Sequence, residues 1–140
     1  MISLRKLLNE YIEEPSELDA SVKVIITRKG DGMYSKVNHH FSKHGEAFLD
    51  LDSRTIFIDG EEADSENWTK DHYLFVQAHE ITHLRLRHDR NNADETYTDY
   101  CAIYLLADKG YKEAAKIGIS QFKYRNGITF KEYRKQFDGK

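Results

Sequence analysis

The chain has 140 residues, enough for one domain around a single core. Apolar residues make up 39% and charged residues 32%, which excludes a disordered chain. The formal net charge of −3 carries no general nucleic-acid signal, and a single cysteine excludes an internal disulfide.

A lone cysteine suits a reducing compartment. No apolar run approaches the roughly 20 residues of a membrane helix. The first residues, MISLRKLLNEYIEE, contain no uninterrupted apolar stretch of the signal-peptide kind. The expected location is the cytoplasm.

Leu4, Leu7, Leu8, Tyr11 and Ile12 recur at helical spacing, after Ser3 as a cap and before Pro15 as a stop. This predicts an N-terminal helix. Val22, Val24 and Ile26 alternate and predict a strand that turns at Gly30 to Gly32. Residues 33–46 show no clear pattern, and AFLDLDSRTIFID over 47–59 predicts a hairpin turning at Asp52, Ser53 and Arg54. GEEADSEN follows as an acidic loop.

A long helix is expected from Trp68 to His88, burying Leu74, Ala78 and Ile81. RNNA then breaks the chain. Asn92 with Glu95 marks the start of a helix that carries Tyr97, Cys101, Tyr104 and Leu105 on one side and ends at Gly110. Another helix covers about 111–125 and stops at Asn126-Gly127. Thr129 and Glu132 form a capping box for a short last helix. The order predicts an α+β fold in one domain over 1–140: an N-terminal helix, a short antiparallel sheet, then helices.

The chemistry concentrates in the long helix. His79, Glu80 and His83 spell H-E-x-x-H. Residues four apart on a helix lie one above the other, so both imidazoles face one point, while Glu80 stands one step round. That arrangement suits a hydrolytic zinc site. Zn²⁺ brings the pKa of a bound water to about 7, and a nearby carboxylate can accept its proton. At this composition roughly 0.03 chance matches are expected in the chain.

A catalytic zinc takes a third protein ligand and keeps one position open. Glu95 and Asp99 are four apart on the next helix. Glu95 is the candidate ligand. Asp99 is the candidate acceptor for the second N–H of a ligand histidine, fixing its tautomer. Small Ala102 allows the two helices to approach. Asp89 competes as ligand, at the last position of a metzincin-like H-E-x-x-H-x-x-G-x-x-D, but Leu86 stands where that pattern has its glycine, and no methionine follows.

HEITH followed by ETYTDYCAIYLL resembles the gluzincin pattern, H-E-x-x-H and then E-x-x-x-D, with Ala102, Leu105 and Leu106 at the small and apolar positions after the aspartate. Over about residues 47–110 the chain looks most like the compact ImmA/IrrE-type metallopeptidase domain. Tyr97-Thr98 replaces the usual acidic-Ala pair, and the gap from His83 to Glu95 is short for that family. The resemblance implies a zincin-like domain and a zinc-dependent metallopeptidase acting on a protein or peptide, with substrates that include regulators of phages and mobile elements. The alternatives are a zinc-bearing module that binds a protein partner without cleaving it, and an accessory factor that masks a regulator.

Elsewhere, His40 and His44 are four apart but suit a polar loop better than a second metal site. Cys101 is expected as a small buried residue. TIFID is the expected outer strand for docking an extended peptide, with AFLDL as the rival.

Overall fold

Val24, Ile25, Ile26 and Thr27 are all buried, so this strand has no solvent face. The alternation expected for it gives way to a fully covered strand, β2 (Lys23–Thr27). The computed structural model describes residues 10–87 and 94–138. These fall into two compact units that divide between Thr69 and Lys70. Together they are α+β, with a four-stranded sheet and six helices among the described residues.

The first unit holds the sheet. Its strands are β1 (Ile12–Pro15), β2, β3 (Ala47–Asp50) and β4 (Thr55–Asp59), in the order β1-β2-β4-β3. The β3–β4 hairpin turns at residues 51–54, where Arg54 takes a positive φ of 51°. Phe48 pairs with Phe57, and their rings stack at 4.9 Å.

The sheet is mixed rather than antiparallel, because β2 runs parallel to β4 with Val24 opposite Ile56 and Ile26 opposite Ile58. The connection contains a helix, α1 (Tyr34–His44), in the stretch without a clear sequence pattern. Asp31 holds its start by accepting from the backbone N–H groups of Met33 and Tyr34. Phe41, the buried residue of α1, packs on Phe48 at 5.3 Å between centroids. His40 and His44 therefore stand on a helix, not in a loop.

The acidic loop is also a helix, α2 (Gly60–Ser65). The Asp59 side chain caps it by accepting from the N–H groups of Glu61 and Glu62. TIFID is an inner strand, since β4 has β2 on one side and β3 on the other. It offers no free edge to a peptide, and AFLD is the outer strand. Of the predicted N-terminal helix, residues 1–9 lie outside the described residues, and Ile12 belongs to β1.

The second unit is helical: α3 (Lys70–Leu86), α4 (Glu95–Asp108), α5 (Lys112–Asn126) and α6 (Phe130–Asp138). Leu74, Ala78 and Ile81 are buried as expected, but burial runs through every residue from Leu74 to Thr82 and so goes right round α3. Asp94, not Asn92, caps α4, accepting from Tyr97 N–H at 2.9 Å; Asn92 lies outside the described residues.

The buried side of α4 is Thr98, Asp99, Ala102, Ile103 and Leu106. Tyr97 and Tyr104 lie on the outer side, each 36% exposed. Tyrosine satisfies a half-wet position, with the ring packed and the hydroxyl in water. Tyr100 stacks on Phe137 of α6 at 4.8 Å, and Tyr104 meets Tyr100 at 5.0 Å. Cys101 is likewise only partly buried.

α5 ends at Gly127 in the left-handed conformation, with φ 77°. A Cβ on Gly118 would lie 2.7 Å from Ile103 and 2.8 Å from Phe75 side-chain carbons. Glycine therefore sets how closely α5 packs on α3 and α4. Thr129 caps α6, accepting from Glu132 N–H at 3.1 Å while its hydroxyl donates to the Glu132 carboxylate. No helix among the described residues is long and apolar enough to cross a membrane.

Candidate metal centre

One turn of α3 separates His79 from His83, and their rings meet edge to face at 4.7 Å. Their Nε2 atoms point at the same spot, 3.1 Å apart. Glu95 reaches that spot from the first turn of α4. Its Oε2 lies 2.9 Å from His79 Nε2, and its Oε1 lies 3.2 Å from His83 Nε2. His79, His83 and Glu95 each offer one donor atom, all within 4.8 Å of one another, and this group can hold a metal ion. Donors on a tetrahedral ion with bonds of about 2.0–2.1 Å stand about 3.3 Å apart, close to the spacing seen.

Burial is graded across the group. His79 is 7% exposed, whereas the Glu95 side chain is 60% exposed. An ion held here meets protein on the His79 side and solvent on the Glu95 side. No family model matches the chain, and neither curated proteins nor solved structures return a match.

Asp99 stands behind His79. Its Oδ1 accepts from His79 Nδ1 at 2.6 Å, which leaves Nε2 of that ring to face Glu95 and His83. Asp99 is 1% exposed and lies on the buried side of His79, away from the solvent side at Glu95. Two further groups meet it, and the sequence patterns point to neither. Arg125 Nε donates to Asp99 Oδ2 at 2.9 Å, and Asn126 Nδ2 donates to the same oxygen at 2.9 Å. Both come from the last turn of α5, which sequence reading marks only as a helix end. A contact across 26 residues has no periodic signature.

Glu80, the remaining member of the motif, is 8% exposed. Its charge acts on the His79 ring. Asp89 lies outside the described residues. His40 and His44 join no metal-holding group among the described residues; their rings are near parallel at 6.4 Å.

The acids reshape the titration of the metal-free protein. Burial pulls the His79 pKa down, but the hydrogen bonds to Asp99 and Glu95 outweigh it and lift the value to about 9. The hydrogen bonds from His79 and His83 hold Glu95 well below the usual carboxylate range. Burial raises Asp99, yet His79 and Arg125 bring it down to about 2. A pKa raised on folding contributes stability below the unfolded value near 6.5 and loses it as pH rises through the folded one.

Metal-free protein is therefore expected to lose up to about 3 kcal/mol between pH 6.5 and 9. Asp99 gives the opposite limb, with a loss as pH falls below 4 toward 2. Urea midpoints of chelator-treated protein from pH 2 to 10 check both limbs. A midpoint that stays flat above pH 6.5 contradicts the His79 assignment.

Proposed function

We propose that this chain is a zinc-dependent metallopeptidase of the gluzincin type, with His79, His83 and Glu95 as zinc ligands and Glu80 as the general base. The observation that carries the reading is Glu95, which closes on both histidine Nε2 atoms from a different helix. A helix that happened to carry two histidines would have no reason to meet such a partner. The soft-to-hard mix of two imidazoles and one carboxylate suits Zn²⁺, as does the open side at Glu95.

Zinc held there supplies Lewis acidity, which makes a water acidic near neutrality and polarises a carbonyl. The chain's own groups do the rest. Asp99 accepts a hydrogen bond from His79 Nδ1–H and fixes that ring's tautomer. Glu80 follows His79 directly in α3, and its charge acts on that ring. It accepts a proton from the attacking water and delivers it to the departing amine as the C–N bond breaks. The choice of an amide substrate rests on the ImmA/IrrE-type resemblance, which also favours a protein substrate such as a regulator from a phage or mobile element.

Metal analysis and a peptide-library digest test the reading together. The expected result is one zinc per chain, cleavage that a chelator abolishes, and recovery on adding zinc back. One zinc per chain with no cleavage makes the protein a zinc-bearing binding module instead.

A further inference from the structure

We propose that Arg125 and Asn126 are positioning residues for the metal centre, acting through Asp99; this rests on the metal reading of His79, His83 and Glu95. An aspartate behind a ligand histidine works only if its carboxylate cannot turn. Here every side of it is held. Oδ1 accepts from His79 Nδ1 at 2.6 Å and from Arg125 Nη2 at 3.3 Å. Oδ2 accepts from Arg125 Nε and Asn126 Nδ2, each at 2.9 Å. Rotating the carboxylate breaks all four contacts.

The two holders are themselves fixed. Asn126 donates a second hydrogen bond to the Phe122 carbonyl at 3.0 Å and accepts from Thr96 Oγ1 at 3.1 Å. Thr96 lies between Glu95 and Asp99 on α4, so α5 is tied to the segment that bears the third ligand. The Arg125 guanidinium lies over the Phe75 ring of α3 at 5.4 Å. Its planar fork matches a carboxylate as a lysine ammonium cannot. The charge also matters: with Arg125 beside it, Asp99 stays an acceptor and His79 Nδ1 keeps the hydrogen. Nε2, which faces Glu95 and His83, is then the nitrogen left to give up its hydrogen and bind a metal. The last turn of α5 thus sets the aim of a ligand on α3.

Competitive zinc titration of the full chain tests this, with cobalt(II) absorption as a report on ligand geometry. Arg125→Ala is expected to weaken zinc by roughly 10–100-fold, as loss of a group behind a ligand does. Arg125→Lys should recover part of that, and Asn126→Ala should show a smaller loss. The deciding readout is the cycle with Asp99→Asn. If Arg125 acts through Asp99, adding Arg125→Ala to Asp99→Asn brings little further loss of affinity. A purely structural role gives additive losses and an unchanged cobalt spectrum, which overturns the proposal. Unfolding midpoints for each variant identify any that fail to fold, and Arg125→Lys then carries the comparison. Wild-type protein that binds zinc beside an Arg125→Ala variant that binds it equally removes the clamp alone. Wild-type protein that binds none removes the metal reading with it.

Discussion

Glu80→Gln is expected to bind zinc as the wild type does and to hydrolyse peptides about 10²–10⁴-fold more slowly. Glutamine keeps the shape and hydrogen-bonding reach of the side chain and removes its ability to accept a proton. Zinc retention follows because Glu80 belongs to neither the donor group nor the hydrogen bonds behind it. The rate loss follows because water activation and proton removal act as one unit, so one without the other recovers little. The position supports the role. Glu80 is 8% exposed, and its charge acts on the ring of His79, which carries one of the group's donor atoms. The measurement is turnover on a cleaved peptide at saturating zinc, beside the metal content of the same preparation. Equal turnover by wild type and variant removes the enzyme reading, while zinc loss by the variant would make Glu80 a ligand.

The parts of this site that lie within one helix could be read from the sequence. HEITH sits on α3, with both histidines facing one point, because a four-residue spacing has one meaning on a helix. The hairpin over 47–59 and the stop at Gly127 were legible for the same local reason. Pairing between distant strands was not. Nothing in KVIIT says that it will lie parallel to TIFID, since buried strands carry β-branched residues whichever way their neighbours run. α1 escaped because Phe41 is its one buried side chain, too few for a stripe to emerge. The buried side of α4 was not legible, because its tyrosines fit core and surface equally well, while Thr98 and Asp99 are the ones inside. A buried aspartate with arginine and histidine partners looks in sequence like any acid near a helix start. Reach ranks Glu95 ahead of Asp99 as a ligand, and in the structure the two acids meet different nitrogens of His79, Glu95 the Nε2 and Asp99 the Nδ1.

That separation fixes the order expected for the acids. Glu95→Ala should cost the most zinc affinity, roughly 10²–10³-fold, the share of one ligand in a total of about 10–16 kcal/mol. Its carboxylate spans both Nε2 atoms, and no other described acid joins that group. Asp99→Ala should cost less, roughly 10–100-fold, because His79 stays in place but loses the partner that aims it. Asp99 cannot take over as ligand: it meets Nδ1, on the far edge of the ring, and Arg125 and Asn126 already occupy its second oxygen. The metal-free Asp99→Ala protein should also unfold more easily, since Arg125 is left beside Phe75 without its counter-charge. Glu95→Ala should be milder in that respect, as its side chain is mostly exposed. The two variants thus differ in opposite senses, one losing more metal and the other more stability. Asp89→Ala should change neither. Competitive zinc titration of the three variants, with urea midpoints of the metal-free forms, reads both properties at once. If Asp89→Ala alone abolishes binding, Glu95 is not the third ligand, and a metzincin-like ligand set replaces the gluzincin one.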